Sequence, residues 1–286
     1  MGTTTATSRI SAALMLAALG ALSSGIAANA EDAANLVPAA VKEKGVTVGT
    51  SVGYPPYVFY DTDGITLLGY EPELHALWMK KLGVNADWKS ADWASLFSGL
   101  QSKRYGVLMV GIKDTVERQG KYDIVDYAMD GWTVLYKKGN PKGIKATADL
   151  CGLNVAAVAQ TSENNMKTVS AECEKNGKKP LTVSVFSGDT QGLLALQSGR
   201  VDAVSVQTPS GAYYVKQNPD SYELLDSENL APGLVGIILP KDQPELAEAY
   251  RAAIQASIDD GSYGEVMKKW GMSSLSISKA TINGQK

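Results

Sequence analysis

Apolar residues recur along this chain with two alternating periods. Residues 46–50 and 107–110 are short β-branched or aliphatic runs, the length of strands and too short for helices, and 84–88 reads as a strand between them. Between them the spacing changes to three and four. Leu74, Leu77, Trp78 and Leu82 form one stripe over a helix at 71–82, with Pro72 in its first turn and Gly83 just past its end. Trp93, Leu96, Phe97 and Leu100 form a second, with Ser90 or Asp92 as its cap. The loop Gly53-Tyr54-Pro55-Pro56-Tyr57 excludes helix, because each proline lacks an N–H and restricts the residue before it. Asp61-Thr62-Asp63-Gly64 is a turn, so 58–60 and 67–70 should pair as a hairpin.

A strand at 132–136 ends in the polar break Lys137-Lys138-Gly139-Asn140-Pro141. The alternation then starts again: strand 154–159, a helix from Ser162, strand 181–186, helix 190–198, strand 201–206. Ala231-Pro232-Gly233 interrupts it a second time, ahead of a strand at 234–239 and helices at 245–259 and 263–270. Strands alternating with helices imply an α/β fold built on parallel strands. The two halves share this layout but no short repeat.

The 286 residues, 44% hydrophobic with a formal charge of -3, suit one large or two medium globular domains. Mild acidity argues against nucleic acid or an anionic membrane surface as partner. Residues 1–30 read as a secretory signal: Arg9, an apolar run from Ile10 to about Leu22, then Ala28-Asn29-Ala30. Cleavage is expected after Ala30, with no cysteine there to carry a lipid, and the remainder has no stretch long enough to span a membrane. Export permits a disulfide between the two cysteines, Cys151 and Cys173; two buried thiols are the alternative. Two cysteines and one histidine do not make a zinc site, and no cofactor is expected. The one histidine, His75, flanks the apolar stripe of its helix and should be half-exposed.

One stretch suggests chemistry. After the apolar run 107–110 come Gly111, the possible N-cap Thr115 and then Arg118. Backbone N–H groups at a helix start and a guanidinium together suit an anion. An ordinary strand-to-helix turn with a solvated arginine would look the same.

Several segments, taken in order, resemble the periplasmic solute-binding proteins of ABC transporters, in the family that binds polar amino acids. They are V-G-T-S-V-G-Y-P-P-Y at 48–57, L-G-Y-E-P-E-L at 68–74, W-A-S-L-F-S-G-L-Q-S at 93–102 and T-V-E-R-Q at 115–119. D-L-C-G-L-N-V-A at 149–156, A-L-Q-S-G-R-V-D-A-V at 195–204 and D-D-G-S-Y-G-E-V-M-K-K-W-G at 259–271 continue the likeness. It implies the type II two-lobed fold, each lobe a mostly parallel sheet flanked by helices, joined by a two-strand hinge. Lobe 1 would take residues 46–135 plus 234–286, and lobe 2 residues 136–233. Asp149–Gly152 with Cys173 also resembles a subgroup carrying one disulfide in its second lobe.

The resemblance also implies a ligand held between the lobes, at the C-terminal ends of the strands. Arg118 matches the arginine that grips an α-carboxylate, with Gly111 on the same loop. Tyr54 and Trp93 match the pair that sandwiches the side chain, although Trp93 also fits the core stripe of its helix. Thr161 and Ser162 would add donors at a helix start, or simply cap it. Lys113 stands where a Ser or Thr usually touches the carboxylate, Gln207 where an Asp usually holds the ammonium, and Ser51 where some binders of basic amino acids carry an Asp. On these residues the cleft holds two cations and no anion, so a ligand of zero or negative net charge is expected: an acidic or neutral amino acid, or a carboxylated derivative with a substituted nitrogen. The expected partners are that ligand and the membrane permease of an ABC importer, with the protein a periplasmic monomer. A secreted cyclohexadienyl-dehydratase-like enzyme on the same fold is the alternative, with Glu163 and Asp114 as its candidate acids. A receptor or chaperone-like module is a third.

Overall fold

The computed structural model describes residues 2, 33–158, 161–225 and 230–286; apart from Gly2, the expected signal segment lies outside the described residues. Strands β1 (Val46–Thr50), β4 (Ala86–Ser90) and β5 (Val107–Leu108) pair in parallel, as do β7 (Asn154–Val158), β8 (Thr182–Phe186) and β9 (Ala203–Gln207). The two parallel sets meet across β6 (Tyr122–Lys137) and β11 (Leu230–Pro240), which are antiparallel to each other. The order is β4-β1-β5-β11-β6-β9-β7-β8, with β10 (Tyr222–Leu224) on β6. The Asp61-Thr62-Asp63-Gly64 turn joins the short hairpin β2 (Phe59–Tyr60) and β3 (Leu67–Leu68). This is an α/β fold with helices flanking a mixed sheet.

Helices form where the apolar spacing placed them. Tyr70–Leu82 ends on Gly83 in the left-handed conformation and buries Leu74, Trp78 and Leu82. Trp93–Gln101 buries Leu96 and Leu100. Pro244–Asp259 and Ser262–Lys269 close the same core. That core draws on residues 33–128 and 235–280. Two further clusters, drawn from 134–225, lie on the other side of the long strands.

Several expectations need correction. The strand expected at 84–88 sits two residues later, and of the run 107–110 only Val107 and Leu108 form strand. Ala231-Pro232-Gly233 does not break the chain: β11 runs through it, with an irregularity in register between Leu230 and Gly233 absorbing the proline. β6 begins ten residues before the expected strand. Helix Thr208–Gln217 was not expected at all. His75 is not half-exposed. It is fully buried, its Nε2 2.8 Å from the Tyr250 hydroxyl and its ring edge-on to Trp88. A histidine beside an apolar stripe joins the core when a second helix covers it, and Pro244–Asp259 does so here.

Burial pushes the His75 imidazole down to about 3. The native state therefore keeps it neutral while the unfolded chain protonates it near pH 6.5. Its contribution is complete above that pH and lost as pH falls towards 3. His75→Phe removes this loss, so its stability relative to wild type should rise between pH 6.5 and 4 in urea titrations; a pH-independent difference would show the imidazole to be solvated.

Cys151 and Cys173 form a disulfide that ties the loop before β7 to helix Thr161–Lys175. Closing 22 residues should stabilise the fold by about 3 kcal/mol. Thiol titration of the denatured, unreduced protein should find no free thiol, and the double serine variant should lose about that much stability.

Candidate functional site

Tyr54, Trp93, Gly111, Lys113, Arg118, Trp132, Val158 and Gln207 line one cavity. Its walls come from the carboxyl ends of β1, β4, β5, β7 and β9 and from the middle of β6, the place where open α/β sheets leave room. Six expected residues thus meet around one space. Ser51 is buried and not part of the lining. Ser162 is buried at the start of its helix with its hydroxyl donating to the Ser205 carbonyl at 3.2 Å, so it holds the helix to β9. The backbone of Thr161 opens that helix. Trp93 is half-buried: its ring forms wall while also packing on the first core.

Arg118 arrives differently from the helix-start expectation. The helix is four residues long, Val116–Gln119, and the Arg118 backbone N–H is already taken by its Thr115 cap at 3.3 Å. Positive charge at this wall therefore comes from side chains. Arg118 Nη1 donates to the Lys113 carbonyl at 2.8 Å, and the guanidinium lies 5.5 Å from the centroid of Phe97. Burial lowers the pKa of both Arg118 and Lys113 from their ordinary values. Among the described residues no carboxylate forms an ion pair with Arg118.

Three buried acids behind the lining were missed. Asp130 is 1% exposed. Its Oδ2 accepts from the Tyr57 hydroxyl at 2.5 Å and from Gln207 Nε2 at 2.7 Å, and its Oδ1 from the Gly131 N–H at 2.5 Å. Burial pushes it up to about 6, while Tyr57 and the nearby Lys113 charge pull it back. Asp189 opens helix Asp189–Gln197 and accepts from Tyr214 at 3.4 Å; burial raises it to about 6, and its charge raises Tyr54 beyond the effect of burial there. The cleft is therefore not free of anions, and the charge count made from the sequence is corrected. Glu71 is the third. Fully buried and pushed by burial up to about 7, it accepts from the Gly111 N–H at 2.6 Å and from the Tyr127 hydroxyl. Lying in the segment L-G-Y-E-P-E-L with Tyr70 and Leu74 on either side, it carried a signal: an acid among core positions.

The acids that an enzyme would use are engaged elsewhere. Glu163 pairs with Lys167 at 2.6 Å. Asp114 accepts from Gln119 Nε2 at 2.8 Å and from the Gln285 N–H at 3.0 Å, so it ties down the C-terminal segment. In that segment Gln285 Oε1 also accepts from the Leu234 N–H, and Asn283 Oδ1 from the Ile124 N–H. No three His, Cys, Asp or Glu side chains come together as metal ligands among the described residues.

Residues 46–273 match the family described as bacterial extracellular solute-binding proteins, family 3. The chain belongs to this family. This solute-binding protein is 30% identical over 233 residues to the L-cystine-binding protein TcyA of Bacillus subtilis, covering 81% of its own length and 83% of that protein's. It is 28% identical over 257 residues to the arginine-binding protein ArgT of Corynebacterium glutamicum, at 87% and 82% coverage. Among solved structures, an ancestral arginine-binding protein bound to arginine matches with a TM-score of 0.68 at 33% identity, covering 79% of this chain and 97% of that one. The ancestral amino acid-binding protein AncCDT-1, a precursor of cyclohexadienyl dehydratase, matches with a TM-score of 0.70 at 27% identity, covering 81% and 97%.

Gly111 is the tightest point of the wall. Its φ is +55°, and an added Cβ would lie 2.7 Å from the Tyr57 ring and 3.2 Å from Gln207 Nε2. Gly111→Ala should cost about 1–3 kcal/mol of stability in urea titrations, because both the backbone and Tyr57 must shift. A variant as stable as wild type would mean that the loop is loose.

Proposed function

We propose that this protein captures an amino acid or a carboxylated amino-acid derivative between two lobes and delivers it to the membrane subunits of an ABC importer. It works as a periplasmic monomer, exported by the segment 1–30 and cleaved after Ala30, without a cofactor. The observation that carries this reading is Arg118: a half-buried guanidinium in a cavity wall, with no carboxylate paired to it among the described residues. A planar fork of donors in a low-dielectric wall suits a ligand carboxylate. Tyr54, Trp93 and Trp132 supply aromatic surface for the rest of the ligand. The relatives named for arginine and cystine support the amino-acid class. Residues 46–135 with 234–286 form lobe 1, residues 136–233 form lobe 2, and β6 and β11 are the hinge; ligand favours the closed arrangement because only there do both walls touch it. The engagement of Asp114 and Glu163 away from the cavity supports binding over dehydratase chemistry.

A thermal-shift screen with free amino acids, including arginine, cystine and glutamine, tests the reading. A ligand at 100 times its Kd should add about 2.7 kcal/mol. Arg118→Ala should fold and lose the response, since an unpartnered buried carboxylate costs about 3–5 kcal/mol. Binding within tenfold of wild type would remove Arg118 as the anchor, and turnover of prephenate or arogenate would overturn transport in favour of catalysis.

A further inference from the structure

The side-chain amide of Gln207 has its two ends assigned by its surroundings. Nε2 donates to Asp130 Oδ2 at 2.7 Å and lies 3.5 Å from the Gly111 carbonyl. Turning the amide over would set Oε1 against a carboxylate oxygen and a carbonyl oxygen, two acceptors facing a third. The unturned amide leaves Oε1 as the end that a ligand meets. The strands hold this arrangement in place: Trp132 is directly opposite Gln207 in the β6–β9 ladder, and Asp130 lies two residues before Trp132 on β6. Asp130 itself has little left to offer, with three donors already on its two oxygens.

The charges in and directly behind the wall also balance. Arg118 and Lys113 are the cations. Asp130, beside Gln207 and Lys113, and Asp189, beside Tyr54, are the anions. Glu71, bonded to the Gly111 N–H and the buried Tyr127 hydroxyl, is pushed by burial towards the neutral acid and stays out of the balance. A ligand with no net charge leaves this balance intact. A cationic side chain or a second carboxylate would add a charge, and acylation of the nitrogen would remove the ammonium; each leaves a net charge that no wall group offsets, in a place where desolvation makes an unpaired charge costly.

We infer that Asp130 is a positioning residue that turns the Gln207 carbonyl towards the cavity, and that the site so built selects a zwitterionic amino acid with an uncharged side chain and a free α-amino group. This rests on the amino-acid-binding reading. The α-ammonium donates to Gln207 Oε1 with the Asp130 charge one amide away, while Arg118 takes the carboxylate.

Calorimetry on the mature protein with L-glutamine, L-methionine, L-leucine, L-arginine, L-glutamate and N-acetyl-L-methionine tests this. At least one of the three zwitterions should bind ten times more tightly than arginine, glutamate or the N-acetyl compound. Asp130→Asn lets the Gln207 amide turn. It should reduce the preference for L-methionine over N-acetyl-L-methionine about tenfold, equivalent to about 1.4 kcal/mol. A merely structural Asp130 would weaken both ligands alike and leave the ratio unchanged, which would overturn the positioning role. Gln207→Leu reads the same ratio if Asp130→Asn fails to fold, and in its background Asp130→Asn should change the ratio no further. Arginine or glutamate as the tightest ligand would overturn the charge argument while leaving amino-acid binding standing. No response to any free amino acid would overturn that underlying reading, and this inference with it.

Discussion

The β6–β11 ladder is the constraint on which the rest of the molecule depends. β6 pairs with β11 as far as Trp132 and with β9 from Trp132 onwards, so one strand enters both halves of the sheet. Its sixteen residues, at about 3.3 Å each, span about 50 Å. The irregular pairing between Leu230 and Gly233 falls opposite the segment that holds Asp130 and Trp132. Asp130, Trp132 and, across the ladder, Gln207 thus sit where β6 changes partner, and changes of pairing are where a strand can re-aim side chains.

Polar groups do the remaining positioning. Glu71 holds the Gly111 loop through its N–H, and Asp130 holds Gln207. Asp114 ties the segment between Lys113 and Gln119 to the C-terminal residues. Each carboxylate is buried and each carries hydrogen bonds, the condition under which a buried acid is tolerated. Together they place the flexible ends of Lys113, Arg118 and Gln207 on loops and strand ends that cannot easily move.

Local periodicity made most of the elements legible. The helix carrying Leu74 and Trp78 and the hairpin turn at Asp61–Gly64 both formed because spacing and turn chemistry are local properties. The ordered segments that resemble the family also located Tyr54, Gly111 and Arg118 around one cavity. What stayed hidden is long-range. The first nine residues of β6 carry acids at Asp123, Asp126 and Asp130, a pattern that looks soluble and non-sheet. In the fold Asp123 meets Lys241, Asp126 is bonded by Thr281 and Gly284, and Asp130 turns to Tyr57 and Gln207. His75 misled because a polar residue beside an apolar stripe reads as surface until the element that covers it is known, and Glu71 on the same helix went unread. Thr161 and Ser162 show the converse, where a sound helix-start signal located a helix while the Ser162 hydroxyl served the fold.

The first core is assembled from residues 33–128 and 235–280, with the other two clusters contributed by the chain between. A growing chain therefore makes half of one core, then the residues of another, and only then the half that completes the first. Until β11 exists, β5 has a bare edge on the side away from β1, and the helix Tyr70–Leu82 lacks the helix that covers His75. Such non-local closure delays folding, since loop entropy must be spent before the contacts reward it. Fragments that stop short of Leu234 would expose a strand edge and an open apolar face together, a combination that favours aggregation and proteolysis over a stable half-protein.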